Sequence, residues 1–212
     1  MIQLQNDGHV SIATSLSRQT KVWKNSEMLY SEFLEKLKEP RRTSETVKQF
    51  RELQKSIQDS IKDVGGFFGG YLVNGRRTSS TVQSRQMLTL DIDEGRADMW
   101  EMFTNFCDFA GAMYTTHKHT PKAPRFRLLI PLTGDVTSEE YEAIARKVAS
   151  YIGIDMFDDT TFQPARFMYW PSTSVDGEYL FEYQDAKWLD GKALLESEYR
   201  NWKDRSEWPY SS

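Results

Sequence analysis

Met87-Leu88-Thr89-Leu90-Asp91-Ile92-Asp93 is the stretch on which the reading of this sequence turns. Side chains of a β-strand alternate with period two, so an apolar run that ends in Asp-x-Asp delivers Asp91 and Asp93 to one face. Two carboxylates held side by side repel, and each raises the other's pKa unless a cation lies between them. Mg²⁺ or Mn²⁺ is the economical cation, because both take hard oxygen donors and complete their shells with water and substrate phosphates. The end of a buried strand is also where α/β enzymes place ligands. Taken alone, Asp-x-Asp equally describes a solvated strand end, and the flanking sequence has to decide.

Upstream, Gly65 to Val73 reads as a strand whose glycines permit close backbone approach, and Asn74-Gly75 as a tight turn into a partner strand from Thr81 to Leu90. Further back, Ser26 reads as the cap of a short helix with Leu29, Phe33, Leu34 and Leu37 on one face, ending at Pro40. A second helix, from Thr43 or Ser44, carries Val47, Phe50, Leu53, Ile57 and Ile61 at helical spacing. Both read as packing elements. Downstream come a helix around Trp100, Phe103, Cys107 and Ala110, a short strand from Ala112 to Thr116, and a strong strand from Phe126 to Leu132. Thr137-Ser138-Glu139-Glu140 has capping-box spacing and opens a helix with Tyr141, Ile144, Ala145, Val148 and Ile152 inward. Strands at Arg166–Trp170 and Glu178–Tyr183 follow, and the tail from Leu189 reads as a closing helix or a linker. This order gives an α+β fold, a mixed sheet flanked by helices. Its expected divisions are an N-terminal helical segment over 1–64, a catalytic core over 65–188 and a C-terminal helix or linker over 189–212.

The bulk numbers narrow the partners. A chain of 212 residues with 39% hydrophobic content supports one main core. A net charge of −4 supplies no global basic field, so contact with nucleic acid has to be local. The single cysteine, Cys107, excludes an intramolecular disulfide and a cysteine zinc ribbon. No apolar run approaches the roughly 20 residues that span a bilayer, and the polar N-terminus lacks the order of a signal peptide. The expectation is a protein of the cytoplasm, of a bacterium or a phage-infected host, with no membrane partner.

Between Asp108 and Asp135 there is no acid, while His117, Lys118, His119, Lys122, Arg125 and Arg127 all fall within that interval. The interval reads as an anion site or as an ordinary solvated loop. Arg125 and Arg127 favour the first, since Arg-x-Arg on a strand projects both guanidinium groups to one face and guanidinium binds phosphate oxygens in bidentate fashion. Asp158 and Asp159, with Arg166 after them, add a further carboxylate and a further arginine. Arg76, Arg77 and Arg85, near the glycine-rich hairpin, are candidates for a template cradle.

With these residues in view, the chain from about Gly65 to Trp188 resembles the archaeo-eukaryotic primase superfamily, and within it the phage and plasmid primase-polymerase branch. Leu90-Asp91-Ile92-Asp93 matches the first motif of that superfamily, an apolar strand ending in two spaced acids. Phe157-Asp158 matches the third, an apolar residue followed by a metal-binding aspartate, with Arg166 and Pro171 in the places of the arginine and proline that commonly follow. The second motif, a small residue before a histidine, fits Thr116-His117 and the neighbouring His119 by letters. By alignment on the strand that ends in Ile130-Pro131, Arg127 stands where the histidine stands in many relatives.

The resemblance implies an RRM-like catalytic core and a template-dependent nucleotidyltransferase, a DNA primase or DNA polymerase. Such an enzyme adds nucleotides to a 3′-hydroxyl by a two-metal mechanism in phage or plasmid replication. It implies Asp91, Asp93 and Asp158 as catalytic, with Asp159 as a further metal candidate and Mg²⁺ or Mn²⁺ as cofactor. Arg127, Arg125, His117, His119 and Arg166 become the nucleotide contacts. The implied partners are a single-stranded DNA template with its primer, dNTP or NTP, and a helicase domain or other replication protein. Three other readings compete: a replication-initiator domain that keeps the fold and only binds nucleic acid, a Mg²⁺ nuclease or phosphotransferase of another kind, and a structural protein with idle acids.

Overall fold

The computed structural model describes residues 1–212. The chain begins with a hairpin, β1 (His9–Ser15) and β2 (Lys24–Leu29), followed by α1 (Tyr30–Leu37), the two-residue strand β3 (Arg41–Arg42), α2 (Val47–Glu52) and α3 (Lys55–Lys62). Next come β4 (Gly66–Phe68), β5 (Gly70–Leu72), β6 (Val82–Ile92), α4 (Met99–Phe106), β7 (Gly111–Thr115) and β8 (Phe126–Val136). The last part holds α5 (Ser138–Ile152), β9 (Met168–Tyr169), β10 (Ser172–Thr173), β11 (Phe181–Gln184) and α6 (Gly191–Glu198). No helix is long and apolar enough to cross a membrane.

Two antiparallel sheets carry the fold, one of five strands in the order β11-β7-β8-β6-β5 and one of four in the order β2-β1-β4-β9. The α+β class expected from the sequence is the class found, and parallel pairing is limited to β3 with β10 and a single bridge between Leu132 and Leu189. Period-two alternation decides which core each residue of the long strands enters. Leu88, Leu90 and Ile92 of β6, with Leu128 and Ile130 of β8, pack beneath α4, α5 and α6. Met87 of β6, Leu129 of β8 and Tyr114 of β7 face the other way, against β1, α1 and β4 through Val10, Ile12, Phe33 and Phe67. The five-stranded sheet is therefore covered on both sides, and Asp91 shares its parity with Met87.

Several expectations for the N-terminal part are corrected. Residues 1–64 are not a helical segment: β1 and β2 lie there, and β1 pairs with both β2 and β4. Ser26 caps no helix; its hydroxyl donates to the Ile12 carbonyl across the hairpin, and α1 starts only at Tyr30. Pairing of 24–29 with a strand from earlier in the chain, with Ser26 opposite Ile12, overrides the local capping signal. The second helix is broken at Leu53 and Gln54, both extended, into α2 and α3. Its start is Thr46, which forms a reciprocal capping box with Gln49. No residue of α3 is buried, so Ile57 and Ile61 are not its packing face.

Gly65 to Val73 is two short strands in different sheets, divided at Gly69. A Cβ on Gly69 would come within 2.8 Å of the Met87 Cβ, and one on Gly70 would collide with the Ser84 carbonyl oxygen, so the chain crosses between sheets where only glycine fits. Asn74-Gly75 forms the expected turn, with a left-handed backbone at both residues, φ of 52° and 66°. Thr137 and Glu140 form the capping box read at the start of α5.

Candidate active site

The row of residues that crosses the five-stranded sheet at the end of β6 holds the first two site groups. Asp91 of β6 is directly opposite Arg127 of β8, which is directly opposite Tyr114 of β7. The Arg127 Nε donates to Asp91 Oδ1 at 2.8 Å, and each side chain is only 12% exposed. Arg127 also reaches the Tyr169 carbonyl at 3.3 Å, and Tyr114 donates its hydroxyl to that carbonyl at 2.7 Å. The four-stranded sheet is thereby tied through β9 to the floor of the site. Burial works hardest against the charge of Arg127, but Asp91 and Tyr114 beside it together outweigh burial and hold the guanidinium pKa above its ordinary value.

Asp93, two residues on and at the same parity, pairs with Arg125 at 2.9 Å and is about half exposed. The third carboxylate arrives by backbone pairing. Phe157 bridges Ile92, the Asp93 N–H donates to the Met156 carbonyl, and the Asp158 N–H donates to the Asp91 carbonyl at 3.0 Å. Residues 156–158 thus run beside the end of β6 and set Asp158 next to Asp91. Asp158 Oδ2 accepts from Arg166 at 3.2 Å, and Oδ1 caps the following turn through the Thr160 N–H and hydroxyl. Arg166 also stands 3.9 Å from Asp91 Oδ2. The Asp91 N–H donates to Thr161 Oγ1, whose hydroxyl donates to the Thr89 carbonyl, so the loop is bonded to β6 at two points.

These groups line one cavity of about 430 Å³, together with His117, Ser172 and Tyr169. His117 sits in a fixed chain of hydrogen bonds, with Nδ1 2.9 Å from the Ser172 hydroxyl and Nε2 3.1 Å from Glu45 Oε1. Burial, with the positive charges of Lys62 and Arg127, pushes the imidazole pKa below its ordinary value against the upward pull of Glu45. Burial likewise pushes Glu45 up, but hydrogen bonds from Thr43, its own backbone and His117 outweigh it and leave the carboxyl below its usual range. A neutral imidazole donating Nε2–H to an ionised Glu45, and accepting from Ser172 at Nδ1, satisfies all three groups.

The remaining site expectations fall elsewhere. His119 does not line this cavity: it is 3% exposed, its Nδ1 accepts from the Arg125 N–H, and its Nε2 faces Glu178. It borders a smaller neighbouring cavity of about 230 Å³ beneath Phe50, where it braces the strand end that carries Arg125. Asp159 is exposed, stands outside the cavity and accepts from the Ser211 hydroxyl. Arg85 is corrected as a template contact, because it is 0% exposed. Its guanidinium donates to the carbonyls of Gly69, Pro164 and Met87 and to Thr89 Oγ1, between the rings of Phe68 and Tyr141. Arg77 lies over Phe167 and Trp23 and donates to the Ala165 carbonyl. Arg76 is exposed.

Sequence reasoning missed Arg18, Lys55, Asp59 and Lys62, which line the cavity from the β1–β2 loop and from α3. Lys55, Asp59 and Lys62 at helical spacing read as an ordinary solvated face, and nothing local to Arg18 marks it. Glu45 and Ser172 were missed for the same reason: each becomes notable only through His117.

Hard oxygen donors are present, and Asp91 Oδ2 and Asp93 Oδ2 accept no protein hydrogen bond. No three acidic, histidine or cysteine side chains are arranged to chelate one ion in this conformation. Mg²⁺, however, needs only one or two protein carboxylates when water and phosphate supply the rest.

Residues 1–211 match the sequence pattern of the VapE N-terminal domain family. No curated protein matches the chain significantly. Among solved structures, the chain is similar to the AEP domain of the cyanophage S-2L primase-polymerase at 12% identity. That similarity covers 88% of this chain and 87% of that one, with a TM-score of 0.46.

Proposed function

The chain belongs to the VapE N-terminal domain family, and we propose that it is a template-dependent nucleotidyltransferase, a DNA primase or polymerase of phage or plasmid replication. The observation that carries this reading is the meeting, in one cavity, of three carboxylates with the guanidinium groups of Arg125, Arg127 and Arg166. Transfer from a triphosphate is catalysed mainly by positioning and charge stabilisation, and it needs acids for a divalent cation and fixed cations for phosphate oxygens.

Asp91, Asp93 and Asp158 would hold Mg²⁺ or Mn²⁺, which when bound lowers the pKa of the attacking 3′-hydroxyl and neutralises the leaving pyrophosphate. Arg125, Arg127 and Arg166 share charge between the aspartates and the anion, so each guanidinium is already in place when a triphosphate enters. His117 and Ser172 supply an imidazole and a hydroxyl, the first oriented by Glu45 and the second by the imidazole. The single-stranded template and primer are the macromolecular substrates of this reading.

The test is extension of a labelled primer on a single-stranded template with all four dNTPs and Mn²⁺ or Mg²⁺, comparing wild type with Asp93→Asn. Asp93 is the best first choice because it is about half exposed, so its amide leaves the fold intact. Metal-dependent elongation, reduced at least about a hundredfold in the variant, is the expected result. No product from folded, template-binding wild type refutes it. That outcome favours a binding domain without synthesis, a reading supported by one observation: each of the three carboxylates already has an arginine partner.

A further inference from the structure

Charge around the cavity is unevenly balanced. On the strand floor each arginine faces an acid: Arg125 with Asp93, Arg127 with Asp91, Arg166 with Asp158. On the facing wall, Lys62, Lys55 and Arg18 share the single carboxylate of Asp59 at 2.9, 3.1 and 3.9 Å. Asp59 is held down at about 2, chiefly by the hydrogen bond from Lys62, so it offers one full negative charge and no more. Lys118, which enters from the basic loop, has no acidic partner within ion-pair distance. Burial lowers its pKa, and the positive charges of Lys62 and Arg125 lower it further. Four cations therefore line this side of the cavity with one acid, Asp59, while Asp63 lies behind them, outside the lining.

Packing does not explain this arrangement. Helix α3 buries no residue, yet it is tied to the β1–β2 loop, because Asp63 at its end accepts from the Arg18 N–H and the Ser17 hydroxyl. Helix and loop hold their cations toward the cavity as one unit. Like charges gathered at a concave, partly desolvated surface favour an anion of several charges.

We propose that this wall is a binding site for the polyphosphate of a nucleoside triphosphate, with Lys62 and Lys118 as its main contacts and Arg18 and Lys55 further out. The site does not require a cation at the carboxylates. The phosphates of a nucleic-acid backbone have the same chemistry, but a cavity of about 430 Å³ falls in the about 300–1,000 Å³ range of small-molecule sites. The inference rests on the nucleotidyltransferase reading for the identity of the ligand.

Calorimetric titration of dATP into wild type and into Lys62→Ala/Lys118→Ala, in EDTA and in Mg²⁺, tests it, with a labelled single-stranded oligonucleotide titrated in parallel. Thermal melting checks that the variant is folded, and Lys62→Gln/Lys118→Gln serves as the milder pair. The double variant is expected to lose at least about tenfold in dATP affinity even in EDTA, with oligonucleotide affinity within about twofold of wild type. Unchanged dATP affinity, or no dATP binding by wild type in EDTA, overturns the proposal. Loss of oligonucleotide affinity alone also overturns it and assigns the wall to a nucleic-acid backbone. Wild type that binds dATP through these lysines but extends no primer sinks the polymerase reading and leaves this site standing.

Discussion

Replacing Asp91 by alanine perturbs the fold as well as any chemistry, and the size of that perturbation follows from the pairing with Arg127. Both side chains are 12% exposed and 2.8 Å apart. Removing one partner of a buried pair costs about 3–5 kcal/mol, because the other charge is left without compensation. Arg127 would keep the Tyr169 carbonyl at 3.3 Å and the rings of Tyr114 and Tyr169 at 5.7 Å, which puts Asp91→Ala at the low end, about 3 kcal/mol. For a chain of 212 residues, each kcal/mol lowers Tm by about 2–4 °C, so the fall is about 6–12 °C. Arg127→Met removes the opposite charge, and the double variant Asp91→Ala/Arg127→Met leaves neither charge stranded. Its destabilisation is expected to fall short of the sum of the singles by about 2 kcal/mol. Urea denaturation followed by tryptophan fluorescence measures all four corners of the cycle. Asp91→Ala within about 1 kcal/mol of wild type, or single effects that simply add, would mean that the two charges do not stabilise each other.

Two further outcomes follow from buried groups. Arg85→Ala removes four hydrogen bonds from a guanidinium that links β6 to Pro164, and is expected to cost about 3–5 kcal/mol in urea denaturation. Arg85→Met should cost less, since it refills the space without a charge to desolvate, and equal effects of the two would count against this account. His117 is held below the ordinary imidazole value of 6.5 by burial. Its contribution to stability is therefore fully present above pH 6.5 and lost as pH falls below it. Glu45, held below 4.5, loses its contribution only further into acid. Stability measured from pH 8 to pH 5 should decline on the acid side in wild type and decline less in His117→Asn; parallel curves would exclude a neutral His117.

The features legible in the chain alone are those that neighbours within a few residues encode. Period-two alternation put Asp91 and Asp93 at one parity at the end of an apolar strand, Thr137 and Glu140 marked the start of α5, and Asn74-Gly75 marked a tight turn. Each depends on backbone geometry that is local. The motif Phe157-Asp158 singled out an acid, but only the pairing of 156–158 with the end of β6 set Asp158 beside Asp91 and left Asp159 outside. Tertiary structure alone decided that Arg127 lies opposite Asp91 and that β2, paired with β1, takes the place of the first turn of the helix read from Ser26. It also decided that Arg85 is enclosed by a bend at Pro164, and that α3 with Arg18 closes the cavity. Those outcomes join residues far apart in the chain, where strand register and burial depend on the whole set of packed faces. A lysine on α3 carries the same local pattern whether it faces water or a site.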